Sequence, residues 1–432
     1  MTLSRPDPAW PSAAHYLIAS RRAEVAALQQ LRQLVQLSIV LGGLIHALQR
    51  ERGTGSLYLG TGGKRFVELY QRMMAETEQQ LGTFQLALNN PAATPALQQN
   101  SRALNDLAMI LHQLDGRLAL RQATLDLSIA PEQLHQFYTE LISVLLSVIF
   151  SAADSASDPT VSRALTALFH FIQGKELAGQ ERALGSLVLA RGRGTAEQAD
   201  QIQLLVDGQQ RSFEVFANLA CDEAADRWQQ LCRQPCVLSV SELRRELLAS
   251  TGKAGDSARQ ADRQRCARWF DDNTQRIDAM QDIERLLEHH LDQTTAQRVT
   301  QLEHQLSDYQ SNLGNANNAV QSRPAQQSAM PLEHMLQPPL LELLHDQQQR
   351  LHEMEEELQQ VRSALDERKL IDRAKALLIR HRGMKEEQAY MLLRRTAMNQ
   401  SRKLADVARA VIAMVDMLDD IPEDNSTQTT SE

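Results

Sequence analysis

The chain has few of the residues that build sheets or disulfide-bonded folds. Aromatic residues make up only 4% of the 432 residues, and strands draw on aromatic and β-branched side chains, so a sheet-rich fold is disfavoured. Cys221, Cys232, Cys236 and Cys266 are too few and too irregularly spaced for a disulfide-rich secreted domain, so we expect reduced, mostly buried thiols. No second Cys or His pair stands at zinc-site spacing, and no metal is predicted.

Long apolar runs are also scarce. The longest uncharged apolar stretch, Leu141 to Ala153, has 13 residues, whereas a membrane-spanning helix requires about 20. The first eleven residues contain Asp7 and three prolines and lack the apolar segment of a signal peptide. We therefore expect a cytoplasmic protein with no membrane contact, in which residues 141–153 form a buried helix.

A catalytic constellation is missing as well. The histidines lack the paired spacing with acids that is typical of metallohydrolases, and there is no Gly-x-Ser-x-Gly motif. The glycines at 60–63 and 192–194 lack the Gly-Lys-Ser/Thr ending of a phosphate-binding loop and are interpreted as turns. The sequence thus predicts neither an enzyme nor a cofactor.

The abundant residues Leu, Ala, Gln, Glu and Arg favour helices, and the sequence predicts an all-α protein. From about residue 11 to 320, apolar residues recur at helical spacing between short Gly, Pro or Asn clusters, as in a multi-helix bundle. Residues 321–339, rich in Gln, Ser, Ala and Pro, are predicted to be a linker. The acidic tail, 421–432, should be disordered.

The N-terminal domain contains an internal repeat. The segment from Gln49 to Gly60 aligns without gaps to the segment from Gly179 to Ala190, at an offset of 182 − 52 = 130 residues. Six of the twelve positions are identical, including a Glu-Arg pair followed by Gly-Ser-Leu. The repeat predicts two duplicated helical bundles of about four helices each.

Arginines in the repeat are candidates for binding an anion, because a guanidinium holds a planar oxyanion through a rigid fork of donors. The candidates are Arg50, Arg52 and Arg182. Arg50 and Arg52 point roughly 200° apart on a continuous helix, so both face one pocket only if the helix breaks, for which Gly53 and Gly55 offer a place. The alternative is that the Glu-Arg pairs are surface residues or interhelical ion pairs. Lys175 and Glu176, just upstream of the second copy, are interpreted as surface residues.

A heptad follows the linker. Leucines recur every seventh residue from Leu344 to Leu365, with Met354 and Val361 at intervening positions. Such a seam predicts a short coiled coil, either with a second copy of the chain or against the N-terminal bundle. An ordinary amphipathic helix on a local core fits so few heptads equally well. We expect a homodimer.

The C-terminal domain, 340–420, reverses the charge of the chain. Residues 366–412 contain twelve Lys or Arg against six Asp or Glu, a net of +6, whereas the whole chain carries −9 and the remainder therefore −15. The apolar pattern predicts three helices: one that ends at Gly383, one from Lys385 to Met398, and one capped by Ser401.

Basic side chains in this domain avoid the apolar stripe, so they can contact the phosphates of a nucleic acid. A solvated charged face is the alternative. The candidates are Arg373, Lys375, Arg380, Arg382, Arg394, Arg395, Arg402, Lys403 and Arg409.

The segments Leu365–Leu378, Glu387–Tyr390, Leu392–Arg394 and Lys403–Ala408 together resemble the ANTAR family over about fifty residues. Ala376 stands where a glycine is common, and Lys385 where a serine would cap the second helix. The resemblance implies a three-helix module that binds RNA in transcription antitermination.

The motif Arg50-Glu51-Arg52-Gly53 within a helical domain resembles the NIT family of nitrate- and nitrite-sensing modules. This resemblance implies that Arg50 and Arg52 belong to the anion motif, whereas Arg182 follows from the repeat, in which Gln180 replaces the first arginine. Together the two resemblances imply a regulator in which nitrate or nitrite, as effector, frees the RNA-binding module to bind a leader mRNA hairpin and prevent terminator formation. The alternative is a dimeric regulator whose basic helices bind an acidic protein partner.

Overall fold

The computed structural model describes residues 13–91, 101–191, 194–250, 259–321, 338–384, 386–400 and 402–419. Every regular element within these ranges is an α-helix, so the predicted fold class is confirmed. The helices are α1 (Ala13–Gly60), α2 (Val67–Leu88), α3 (Ser101–Asp115), α4 (Arg117–Leu125), α5 (Pro131–Ser155), α6 (Pro159–Arg191), α7 (Ala196–Leu219), α8 (Asp222–Cys232), α9 (Pro235–Ser250), α10 (Arg259–Gln321), α11 (Pro338–Arg382), α12 (Glu386–Asn399) and α13 (Leu404–Asp419).

The first half of the N-terminal domain is a bundle built on α1. This helix packs against α2 and α5, and α3 packs against α5. Tyr70, Phe84 and Leu134 are completely buried in its core. The stretch 141–153 lies in α5 and is mostly buried, as predicted. The segments His15–Gly60 and Pro131–Ser155 are long and apolar enough to cross a membrane, but 61% of each apolar window is buried inside the protein, as in core helices.

The second half repeats this plan around α6 and α10. Helix α6 packs against α7 and α10, and α10 also packs against α8 and α9. Repeat glycines serve the same purpose in both halves. A Cβ atom on Gly55 would lie 2.9 Å from Leu134 Cδ2, and one on Gly185 would lie 2.4 Å from the Trp269 ring. Because the glycines have no side chain, Leu134 can pack directly against α1 and Trp269 directly against α6.

The two halves meet through the repeat helices themselves, because α1 contacts both α6 and α10, and α5 contacts α6. Helix α1 is continuous through Gly53 and Gly55. The break that would have turned Arg50 and Arg52 toward one pocket is therefore absent, and the two side chains leave the helix in different directions.

The chain divides into two compact units, with the boundary between Leu358 and Gln359 inside α11. In the second unit, the end of α11 forms a small core with α12 and α13 through Ala374, Leu393 and Val407. Gly383 ends α11 with a φ of 61°, the left-handed conformation predicted for it. Leu358, Val361 and Leu365 of the heptad are buried. Ser401, most of the predicted linker and the acidic tail lie outside the described residues.

Candidate anion site and nucleic-acid interface

The repeated carboxylates hold arginines from other helices of their own half. Glu51 on α1 accepts hydrogen bonds from Arg121 Nε at 2.6 Å and Nη2 at 2.8 Å. Glu181 on α6 accepts the same pair from Arg244, at 2.6 and 2.9 Å. Both carboxylates are completely buried. For these two glutamates, interhelical ion pairing is therefore the interpretation observed.

Extra donors surround the second carboxylate. Arg276 Nη1 lies 3.6 Å from Glu181 Oε2, and Gln209 Nε2 donates to the same oxygen at 2.8 Å. Burial would raise the pKa of Glu181, but the charges of Arg244 and Arg276 and the hydrogen bonds from Arg244 and Gln209 hold it below its ordinary value. The second half thus contains two arginines on one carboxylate.

Arg52 is buried and ion-paired. Its Nη1 and Nη2 atoms donate to Glu176 Oε1 and Oε2 at 2.6 and 3.0 Å, and Nη1 also donates to Thr139 Oγ1 at 3.0 Å. Gln49 and Gln180 each donate to the same carboxylate at 2.8 Å. This bidentate geometry is the strongest form of arginine–carboxylate contact.

Arg182, the repeat equivalent of Arg52, is buried without such a partner. Its Nη1 donates to Thr274 Oγ1 at 3.1 Å, and its guanidinium lies 5.1 Å from the centre of the Phe270 ring. Among the described residues, no carboxylate lies within ion-pair distance of it. Burial, followed by the charge of Arg52, lowers the pKa of Arg182 to about 10, against smaller opposing contributions from Asp278 and Glu176.

The two arginines cross between α1 and α6. Arg182 Nη2 lies 2.6 Å from the position of a Cβ on Gly53, and Arg52 Nη2 lies 3.0 Å from that of a Cβ on Gly179. Each guanidinium therefore packs over a glycine of the opposite helix. A side chain at either glycine would displace the guanidinium.

Arg50 lies at the edge of this arrangement. It donates to Glu76 Oε2 on α2 at 2.6 Å, and both side chains are partly exposed, at 44% and 37%. The charge of Arg50 nevertheless affects a partly buried group. Burial raises the pKa of Asp278, and the charges of Arg50 and Arg182 oppose that rise. The structure thus brings Arg52 and Arg182 together and leaves Arg50 beside them.

Lys175 and Glu176, which the sequence suggested to be surface residues, are buried, so that interpretation is wrong. Lys175 Nζ pairs with Glu284 and donates to Gln281 Oε1 at 2.6 Å, both on α10. A usable signal was present: Leu168, Lys175 and Arg182 stand seven residues apart and share the buried face of α6.

The basic residues of the second unit are mostly exposed. Five of them are exposed and form no ion pair with the described residues: Arg380, Arg382, Arg395 and, just before α13, Arg402 and Lys403. Arg373 is also exposed, Arg409 pairs with Asp406 at 3.0 Å, and Arg394 is half-buried. These cations lie on all three helices of the unit.

Lys375 differs from the other predicted contacts. Its Nζ lies 2.8 Å from both Asp372 and Glu386, and so joins α11 to α12. Burial opposes its charge, but the two carboxylates raise the pKa of Lys375 above its ordinary value. Lys375 therefore stabilises the unit.

Within the described ranges, no group of three or more His, Cys, Asp or Glu residues is placed to hold a metal ion. The four cysteines are free thiols, as predicted. Only Cys236 is buried, however, and Cys232 is exposed, so the expectation that they are mostly buried is wrong.

A duplicated helical bundle, in which a buried guanidinium has no carboxylate partner among the described residues, is followed by a small three-helix unit with exposed cations. The two together define a two-part regulator: an anion sensor and a polyanion-binding module.

Comparison with known proteins identifies both parts. Residues 43–292 match the family described as nitrate and nitrite sensing (NIT), and residues 359–412 match the ANTAR domain. The chain is 31% identical over 405 residues to the nitrate regulatory protein of Klebsiella oxytoca, covering 94% of this chain and 96% of that protein. It resembles the solved structure of the NasR transcription antiterminator with a TM-score of 0.59 and 29% identity, covering 94% of this chain and all of the other. The chain belongs to the NIT–ANTAR family of nitrate-responsive transcription antitermination regulators.

Proposed function

We propose that nitrate or nitrite binds where Arg52 and Arg182 cross between α1 and α6, and that binding frees the three-helix unit to bind a leader mRNA hairpin. The observation that carries this proposal is the buried guanidinium of Arg182, which has no carboxylate within ion-pair distance among the described residues. An uncompensated buried charge is costly, and a bound anion would remove that cost.

The chemistry around Arg182 suits a small planar oxyanion. A guanidinium presents two parallel N–H donors to two oxygens of such an ion. Arg182 Nη1 is oriented by Thr274 and its face is packed on Phe270, so the side chain gives up little freedom on binding. The charge of Arg52 is close enough to lower the pKa of Arg182, so the crossing carries positive potential, which favours an anion.

The described cations of α11 to α13 supply the second half of the function. Exposed Arg and Lys side chains provide phosphate contacts, which confer affinity and salt dependence, while base contacts must confer sequence preference. Bound RNA would prevent a terminator hairpin from forming. The heptad at the start of α11 supports a homodimer, and we place the protein in the cytoplasm with its RNA.

For the anion to switch RNA binding, it must bind one conformational state more tightly than the other. The test is fluorescence anisotropy of a labelled leader hairpin with the full chain, titrated with and without nitrate. We expect nitrate to tighten RNA binding by about fivefold or more. Arg182→Met should abolish this response, whereas Arg72→Met, at an exposed position on α2, should retain it.

Equal RNA affinity with and without nitrate would contradict the switch. Binding that is indifferent to RNA sequence and structure would instead favour the alternative of an acidic protein partner for the basic helices.

A further inference from the structure

The two crossing arginines have similar surroundings. Arg52 Nη1 donates to Thr139 Oγ1 at 3.0 Å, and Arg182 Nη1 donates to Thr274 Oγ1 at 3.1 Å. Thr139 lies on α5, the last helix of the first half, and Thr274 on α10, the last helix of the second. Each arginine also packs over a glycine of the opposite repeat helix, although these threonines and glycines do not align at the repeat offset. Both halves therefore hold the guanidinium in the same manner, but with residues that the repeat alignment does not pair.

The first half has no carboxylate at the position equivalent to Glu176. At the repeat offset of 130 residues, Glu176 corresponds to position 46, since 176 − 130 = 46, and position 46 is a histidine. His46 stays neutral, because burial, followed by the charges of Lys175, Arg50, Arg285 and Arg182, lowers its pKa to about 2. Arg52 thus has a built-in anion, whereas the position equivalent to Glu176 holds an uncharged ring whose Nδ1 lies 3.5 Å from Lys175 Nζ.

Glu176 occupies its position as a planar anion would. Its two oxygens accept the two guanidinium nitrogens of Arg52 at 2.6 and 3.0 Å, and the amides of Gln49 and Gln180 add one donor each. These four hydrogen bonds come from three different side chains that converge on one carboxylate. A nitrate ion has the same trigonal plane of oxygens and the same single charge.

We propose that the sensor contains a second, masked oxyanion subsite on Arg52, filled by the Glu176 carboxylate. This inference rests on the proposed function, because it takes the Arg182 subsite to be the nitrate site. The side chain at position 176 then determines whether one chain binds one anion or two: a carboxylate closes the Arg52 subsite, and a neutral side chain leaves it open.

The test is isothermal titration of nitrate into the full chain and two variants, with stoichiometry as the readout. The parent chain should bind one nitrate per chain. Glu176→Ala should bind two, because Arg52 then lacks its carboxylate and the glutamine donors remain. Glu176→Gln keeps the side-chain volume and should also bind a second nitrate, but more weakly than Glu176→Ala.

Thermal unfolding of the same proteins provides an independent reading, because a ligand that binds only the folded state raises the melting temperature. Glu176→Ala should melt at a lower temperature than the parent without nitrate, and should gain more from saturating nitrate. Chloride at equal ionic strength controls for salt, and Arg72→Met controls for loss of a surface charge.

The outcomes separate this inference from the proposed function. A parent chain that binds no nitrate would overturn the proposed function. A parent that binds one nitrate, together with Glu176→Ala and Glu176→Gln variants that also bind only one, would overturn the masked subsite alone.

Discussion

In the first compact unit the arginines that determine structure are buried among helices, whereas in the second they stand on the surface. The side chains of Arg52 and Glu176 are 2% and 3% exposed, but that of Arg409, in the second unit, is 64% exposed. A buried guanidinium is costly unless it is paired. With a carboxylate partner it stabilises the fold, and without one it is available to bind an anionic ligand. An exposed guanidinium needs no partner, and even Arg409, which pairs with Asp406, remains accessible to a phosphate. Substituting an arginine is therefore expected to change stability in the first unit and binding in the second.

The largest expected effect is on the buried carboxylates of the first unit. Glu181→Gln leaves Arg244 and Arg276 without their shared carboxylate, and should lower the free energy of unfolding by about 3–5 kcal/mol. Glu51→Gln should cost less, because Arg121 keeps its contact with Glu78. Urea unfolding followed by circular dichroism measures both. An equal loss of stability in the two variants would contradict the proposed difference between the halves.

The next effect is a pH dependence centred on α10. Burial, followed by the charge of Glu284, raises the pKa of Glu288 to about 8, against the opposing charges of Lys175 and Arg285. The fold therefore favours the protonated carboxyl. This contribution to stability is fully present below the ordinary carboxyl pKa, declines as pH rises, and is lost above about pH 8.

Glu288→Gln should remove this decline. Between about pH 6.5 and 8.5, the melting temperature of the parent should fall more than that of the variant. His46 is neutral in both the folded and the unfolded chain for most of this range. Glu303→Gln, at an exposed position on the same helix, is the matched control. Parallel curves for the parent and Glu288→Gln would show that Glu288 is ionised in the fold.

Much of this contrast was present in the sequence. Periodicity predicted the helices, the burial of 141–153 and the three-helix unit, because these depend on residues near in sequence. The repeat predicted that Arg52 and Arg182 occupy equivalent positions. The partners were not predictable, because Glu176 meets Arg52 across 124 residues and only through the packing of α1 on α6. Treating Lys175 and Glu176 as surface residues failed for a different reason: it overlooked the seven-residue spacing that places Lys175 on the buried face of α6.

In the second unit, single cations should change binding and not stability. Arg402→Ala and Lys403→Ala should each leave the free energy of unfolding within about 0.5 kcal/mol. Each substitution that removes a cation from an RNA phosphate should reduce the slope of log affinity against log salt by about 1. Lys375→Ala is the contrasting variant: it breaks the link between α11 and α12, and should lower stability by about 1 kcal/mol. Anisotropy with a leader hairpin at several salt concentrations distinguishes the two behaviours.

A similarly small stability effect is expected at Arg50, which belongs to the first unit but is exposed like the arginines of the second. It belongs to the first unit and lies near the crossing arginines, yet its side chain is 44% exposed and pairs with a partly exposed Glu76. Exposed ion pairs contribute little, so Arg50→Ala should lower the free energy of unfolding by no more than about 0.5 kcal/mol. If its charge helps to hold the anion, the same variant should weaken nitrate binding in calorimetry. A large drop in melting temperature without ligand would instead make Arg50 a structural residue like Arg52, and unchanged nitrate affinity would confine the anion to the buried pair.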